Sequence, residues 1–231
     1  MPLFVLVHGI GMSHRYLSRL QDVLATRVRT LAVDLPGFGG LPKPGTDLDV
    51  PAMAAAIGRV LDVEGVRDAV LVGQSMGTQW VVELGAQRPE LTRAVVVIGP
   101  VADARHRTLF GQSRALFVDT LGEPPGANAL VFTDYLRCGP RWYLTQLRHM
   151  LGYPIERRVA DLRMPLVIVR GARDPIAGRE WCERLRDAAR TGSLTEIPGR
   201  VHNAQHSAPA AVAAAILTHV GMPSPTTAGE R

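Results

Sequence analysis

The chain has 231 residues, 46% of them hydrophobic and 20% charged, with a formal net charge of +5. This is the composition of an ordinary globular protein with a sizeable core; it excludes extensive disorder, and no apolar run approaches the roughly 18 residues of a membrane-spanning helix. The basic residues are spread along the chain rather than gathered in runs, and all but Lys43 are arginine, so the positive balance does not mark a nucleic-acid surface.

Taken in order, the chain reads as strands alternating with helices. Residues 3–7 are a short apolar run suited to a strand buried on both faces, and the run stops at His8-Gly9-Ile10-Gly11. Leu17, Leu20, Val23 and Leu24 form an apolar stripe that predicts a helix over residues 15–25. Residues 30–33 predict the next strand, and the Gly- and Pro-rich residues 34–40 a loop. Asp47 or Asp49 can cap a helix starting near Pro51, with Met53, Ile57, Val60 and Leu61 buried. Residues 69–72 predict a strand ending at Gly73, with a helix resuming just after Ser75, and residues 94–98 another strand, ended by Gly99-Pro100.

From residue 101 to about 162 the patterns are helical, near 104–118, 128–137 and 141–151, without a convincing strand between them. Alternation resumes with a strand at 166–169, a helix near 180–189, a strand at 194–197 and a last helix near 209–220. The expected organisation is one α/β core from residues 1–100 and 163–222, interrupted by a helical lid over 101–162. The polar residues 223–231 predict a disordered tail. Such alternation implies a mostly parallel, doubly wound sheet with right-handed crossovers, whose functional loops lie at the carboxyl ends of the strands. The first residues lack a charged leader, which points to a cytoplasmic protein. Cys138 and Cys182 lie far apart without metal-ligand spacing, so free thiols and no metal are expected.

The chemistry centres on Gly73-Gln74-Ser75-Met76-Gly77, a G-x-S-x-G pentapeptide between a predicted strand and helix. There a serine sits on a sharp, strained turn, while the first helical N–H groups, led by Met76, face whatever its hydroxyl attacks. A hydroxyl needs a base, and histidine suits the role because it titrates near neutrality. His202 follows the last predicted strand and precedes the last helix; His206, one helical turn on, is its rival. His14, His106, His149 and His219 fall in helical patterns, and His8 reads as a loop brace. An orienting carboxylate must accept from the other ring nitrogen, and Asp174 ends the preceding strand in a turn with Pro175. Met76 N–H needs a second oxyanion donor, for which Ile10 N–H in the first strand-end loop is the candidate. Gly9-Ile10-Gly11 with Asp34 imitates a dinucleotide-binding fingerprint, but His14 stands where the third glycine is required.

These stretches together resemble the α/β-hydrolase fold family: H-G-I-G at 8–11, D-L-P-G-F-G at 34–39, G-Q-S-M-G at 73–77, R-G-A-R-D-P-I at 170–176 and P-G-R-V-H at 198–202. The resemblance runs from Leu3 to about Val220 and implies six strands in the order 4-3-5-6-7-8 of the family's own naming, without the antiparallel strands that usually come first. It implies a serine hydrolase needing no cofactor, with acylation of Ser75 and hydrolysis by a water that His202 activates. The implied partner is a small molecule, not nucleic acid or a membrane, and the chain acts as a monomer or homodimer. The short chain and apolar lid are similar to bacterial ester, lactone and carbon–carbon-bond hydrolases, the last acting on vinylogous diketones. A ligand receptor on the same fold is the alternative. Thr78 and Arg200-Val201 depart from the smaller residues usual at those places. Phe110, Leu136, Trp142, Tyr143, Leu147 and Met150 could line an apolar acyl pocket. Arg105, Arg107, Arg114, Arg137, Arg141 and Arg148 could grip a substrate carboxylate.

Overall fold

A computed structural model describes residues 1–103 and 125–222, with side chains described outside 125–131. Strands β1 (Leu3–Val7), β2 (Arg29–Val33), β3 (Ala69–Gln74), β4 (Thr92–Ile98), β5 (Leu166–Gly171) and β6 (Gly192–Ile197) form one sheet in the order β2-β1-β3-β4-β5-β6. Every pairing is parallel. This is the predicted order. The central strands β1, β3 and β5 are buried at every position and open on apolar runs of four or five residues, whereas the edge strands β2 and β6 are mostly half-buried.

Each face is covered by helices whose apolar stripes match it. Val5, Leu71, Val95 and Leu166 pack under α2 (Val50–Val63), α3 (Gly77–Gln87) and later helices of the chain, against Met53, Ile57, Trp80 and Trp181. Phe4, Leu6, Val70 and Val96 pack under α1 (Ser18–Ala25), whose Leu20 and Leu24 join the cluster. Each such side chain contributes about 1.5–3 kcal/mol by leaving water. Val60 departs from the prediction: it is 41% exposed, because Met53, Ile57 and Leu61, spaced at four residues, already fill the stripe. Asp49 rather than Asp47 caps α2, accepting from Ala52 N at 2.9 Å. The first predicted helix begins as a 3-10 turn at His14–Leu17.

Between β4 and β5 lie α4 (Pro125–Cys138), α5 (Pro140–Gly152) and the short α6 (Ile155–Ala160). The helix predicted over 104–118 and the tail at 223–231 lie outside the described residues. After β5 come α7 (Arg179–Ala188), the short α8 (Ala204–Ser207) and α9 (Pro209–His219), which closes the second face with Val212 and Ile216. Neither α6 nor α8 was predicted, since four to six residues are too few to display helical periodicity.

The helices between β4 and β5 are fastened to the core by polar side chains. Gln79 Nε2 donates to Met150 O at 2.9 Å, Gln146 Nε2 to Leu48 O at 2.8 Å, and Ser13 Oγ to Asp134 Oδ2 at 2.5 Å. On α3 the buried Glu83 accepts from Tyr153 Oη at 2.6 Å, from Arg158 Nε at 2.8 Å and from Arg158 Nη2 at 2.9 Å. Burial by itself raises the Glu83 carboxyl, but the donors Arg158, Tyr153 and Gln87 together bring it below its ordinary value. A carboxyl depressed on folding stabilises the protein above its unfolded pKa, and that contribution fades as pH falls through the folded value. Glu83→Gln is therefore expected to cost on the order of 3 kcal/mol at pH 7. The deficit should shrink in urea titrations repeated at pH values below the ordinary glutamate range.

Among the described residues no helix is long and apolar enough to cross a membrane, and no group of three His, Cys, Asp or Glu side chains could hold a metal ion. Cys138 and Cys182 are free and buried, and burial pushes their thiols up to about 11 and about 12.

Candidate active site

The elbow forms where β3 meets α3. Ser75 has φ 55°, one of two positive values among non-glycine residues of the described chain. That left-handed conformation costs roughly 1–2 kcal/mol for a residue bearing a Cβ. It is held from both sides: Ser75 N donates to Ile98 O at 3.0 Å, and Ser75 O accepts from Thr78 N at 3.0 Å and Thr78 Oγ1 at 2.6 Å. The hydroxyl of Thr78 thus braces the turn. Backbones crowd here, since a Cβ on Gly77 would lie 2.5 Å from both Val7 O and His8 O. Ser75 is 7% exposed, so it lies under cover.

The first strand-end loop abuts the same serine. A Cβ on Gly9 would lie 2.9 Å from Ser75 Cβ and 2.8 Å from Gln74 Oε1, which brings the next residue, Ile10, to the elbow. Thr78 and Gln79 N–H groups donate to the carbonyls of Ser75 and Met76. Those of Ile10 and Met76 donate to no carbonyl of the described residues. His8 braces this loop: its Nδ1 donates to Gly9 O at 2.7 Å and its Nε2 accepts from Leu35 N at 3.4 Å, with Phe38 and Trp80 edge-on to the ring. Burial lowers its pKa, so His8 stays neutral. Asp34, the residue a dinucleotide fingerprint would turn to a ribose, instead accepts from His14 N at 2.7 Å and bonds its ring at 2.6 Å.

His202 and Asp174 meet across the next two strand ends. His202 Nδ1 donates to Asp174 Oδ2 at 2.9 Å, both residues being buried. The other carboxylate oxygen, Oδ1, accepts from Ile176 N at 2.8 Å and Ala177 N at 2.9 Å. Burial raises the Asp174 carboxyl, but the charge and hydrogen bond of His202 and the two amides outweigh it and hold the carboxyl below its ordinary value. His206 goes elsewhere: its ring stacks on Tyr16 with centroids 5.4 Å apart. Ser75 and the His202–Asp174 pair share one neighbour, the end of β4. Ser75 bonds Ile98, while a Cβ on Gly99 would lie 2.9 Å from His202 Nδ1 and 3.3 Å from Asp174 Oδ2.

Several residues of this arrangement escaped the sequence reading. Gly99 has φ 58° and faces the imidazole; its position between a strand and a proline hinted only at a turn. A Cβ on Gly171 would overlap the carbonyls of Arg200 and Val201, so the acid and histidine loops lie backbone to backbone. Ala172 N and Arg173 N donate to Ile197 O at 2.9 Å and Arg200 O at 2.8 Å, tying those loops together. Of the proposed pocket residues, Trp142, Leu147 and Met150 are buried, Tyr143 packs edge-on to Tyr135 at 5.4 Å, and Leu136 is 67% exposed. Phe110, Arg105, Arg107 and Arg114 lie outside the described residues. Arg148 pairs with Asp47 at 2.6 Å and Arg137 lies 4.0 Å from Asp134, whereas Arg141 borders a cavity of about 610 Å³ with Lys43 and Trp142.

The sequence pattern of the Alpha/beta hydrolase family matches residues 4–215. The chain is 29% identical over 93% of its length to the biotin biosynthesis bifunctional protein BioHC of Cellvibrio japonicus, and spans 47% of that protein. It is 26% identical over 81% of its length to the pimeloyl-[acyl-carrier protein] methyl ester esterase of Aromatoleum aromaticum, and covers 87% of it. The enol-lactonase of Burkholderia xenovorans LB400 superposes with a TM-score of 0.81 over 95% of this chain and 90% of its own, at 16% identity, a likeness of fold.

Proposed function

Because the chain belongs to the alpha/beta hydrolase family, we propose that this hydrolase cleaves a small to medium, largely apolar ester or lactone through an acyl-enzyme on Ser75, acting in the cytoplasm as a monomer or homodimer. The observation that carries the reading is the buried His202–Asp174 hydrogen bond of 2.9 Å beside a serine held in left-handed conformation. The names of the relatives, a methyl ester esterase and an enol-lactonase, support the ester and lactone classes.

The chemistry follows from the geometry. Asp174 accepts from Nδ1, which leaves Nε2 of a neutral His202 as the lone pair that takes the Ser75 proton. The serine oxygen adds to the carbonyl carbon; the charge that develops on the carbonyl oxygen is met by the Ile10 and Met76 N–H groups, the latter at the positive end of α3. The imidazolium, stabilised by ionised Asp174, returns its proton to the leaving alkoxide. A water then repeats the sequence in reverse, with His202 again as base, and releases the acid. Trp142, Leu147 and Met150, buried in the apolar cluster that also holds Ile10 and Met76, support an apolar acyl group, because dry surroundings strengthen the oxyanion contacts. Among the described arginines, the carboxylate-gripping role falls best to Arg141, which borders the cavity with Lys43.

A panel of p-nitrophenyl esters, aliphatic lactones and a vinylogous diketone tests the class. The p-nitrophenyl esters with apolar acyl groups should release nitrophenolate in a burst equal to the enzyme present, apolar lactones should be opened, and the diketone should not be cleaved. Turnover of the diketone alone would replace the reading by carbon–carbon cleavage; none at all would leave a binding protein. Within the panel, adding a terminal carboxylate should raise kcat/KM, and Arg141→Ala should cancel the gain. If neither changes the ratio, the anionic part is wrong and the apolar part stands.

A further inference from the structure

We infer that Arg170 is a positioning residue for the pair formed by Asp174 and His202: its guanidinium gathers the carbonyls of the acid turn and thereby fixes the direction in which the Asp174 carboxylate faces. The inference rests on the proposed roles of these two residues.

Arg170 stands near the end of β5 and is 4% exposed, an unusual place for a charge whose strand neighbours are the apolar Ile168 and Val169. Each of its three nitrogens has an acceptor, and two of the three turn to the acid loop. Nε donates to Ala177 O at 2.7 Å, Nη2 to Asp174 O at 3.3 Å and Ala172 O at 3.5 Å, and Nη1 to Glu196 Oε1. The turn over residues 171–177 is therefore wrapped around a cation. On its other side the same turn holds the carboxylate, for Ile176 N and Ala177 N both donate to Asp174 Oδ1. Ala177 thus links the two, giving its carbonyl to Arg170 and its amide to Asp174. With Oδ1 fixed, Oδ2 has one direction left, towards His202 Nδ1.

A salt bridge to Glu196 alone does not account for the arrangement. Glu196 is partly exposed and already receives Arg179 at 3.1 Å through its other oxygen, so its charge is met without Arg170. Three of the four acceptors of Arg170 are carbonyls of the acid turn, reached from Nε and Nη2 of one rigid, planar fork; a lysine ammonium, a single point charge, cannot span them in that geometry. Without the fork the turn relaxes, Asp174 swings, and the imidazolium formed during catalysis loses part of its stabilisation.

The test compares wild type with Arg170→Gln, Arg170→Lys and Glu196→Gln, with rates normalised to sites titrated by a fluorophosphonate. Arg170→Gln should lower kcat by about 10²-fold, the cost of a misplacement of about 1 Å, with KM little changed. The acid limb of its kcat/KM profile should move to lower pH, since a less stabilised imidazolium loses its proton more readily. Arg170→Lys should fail to restore either quantity, and Glu196→Gln, which leaves the fork on the carbonyls, should change both far less. The proton on His202 Nδ1, seen downfield by NMR in the wild type, should shift upfield in both Arg170 variants whether or not a substrate is turned over. A folded Arg170→Gln protein with wild-type kcat, pH profile and proton shift would overturn the inference, as would full rescue by lysine. If Arg170→Gln does not fold, Arg170→Lys decides by the same readouts. A wild type that no fluorophosphonate labels would instead overturn the underlying reading of Ser75, while the proton shift still reports on Arg170.

Discussion

Replacing Ser75 by alanine should abolish covalent labelling by a fluorophosphonate and lower ester turnover by roughly 10⁵–10⁶-fold, the loss typical of removing the nucleophile from a triad that works as a unit. The change removes one oxygen and keeps the Cβ and the left-handed turn, so Ser75 N–Ile98 O and Thr78 Oγ1–Ser75 O remain. The thermal midpoint should therefore stay near that of the wild type. Intact-protein mass spectrometry after exposure to the probe gives the answer: an adduct on Ser75→Ala equal to that on the wild type would show that another side chain reacts.

The second large effect is expected from a residue with no chemistry of its own. Gly77 lies where the start of α3 crosses the end of β1, and a methyl group there would meet Val7 O and His8 O, both backbone, at 2.5 Å. The Val7 carbonyl cannot rotate aside, because Val7 belongs to a strand paired on both edges. Gly77→Ala should lower stability by about 1–3 kcal/mol through overpacking. It should also lower kcat by about 10²-fold, because α3 carries Met76 and β1 leads to Ile10, and parting them spreads the two amides. Gly178→Ala, where an added Cβ meets nothing within 4 Å, serves as the control. Calorimetry and initial rates on the two variants separate the outcomes, and a Gly77→Ala protein indistinguishable from the control would mean that strand and helix part at no cost.

Much of this architecture could be read from the residues because its signals are local. The runs at Leu3–Val7 and, within β3, residues 69–72 are apolar throughout, as strands buried on both faces must be, and each leads into a Gly-containing turn. Ser75, Asp174 and His202 stood out because residue type and loop position coincided. Whether His202 or His206 meets Asp174 was a closer matter, for both fit a site-end loop; Tyr16, far away in sequence, takes up His206. What stayed hidden depends on tertiary approach. Gly99 and Gly171 look like any turn glycine until the imidazole and the carbonyls of Arg200 and Val201 are seen against them. Arg170 reads as a polar residue closing a strand, since the carbonyls it binds come from a turn whose path the sequence does not display. Val60 misled because it satisfies helical spacing while the stripe was already full, and the choice between Asp47 and Asp49 as cap stayed open because the partners of Asp47, Arg148 and His149, lie in a distant helix.

The pairing of β1 on both edges bears on how the protein reaches its native state. Leu3 is matched to Arg29 on one side and to Ala69 on the other, and Val95 to Leu166, so parallel neighbours are joined by long stretches of intervening chain. Contacts of that kind repay the entropy of closing large loops only late, which makes folding slow relative to helical proteins of similar stability. The loops bearing Ile10, Ser75, Asp174 and His202 hang from four different strands of this sheet. A chain recovering from denaturant therefore gains helical signal well before it gains a competent site, and regained reactivity towards a serine probe marks completion of the sheet.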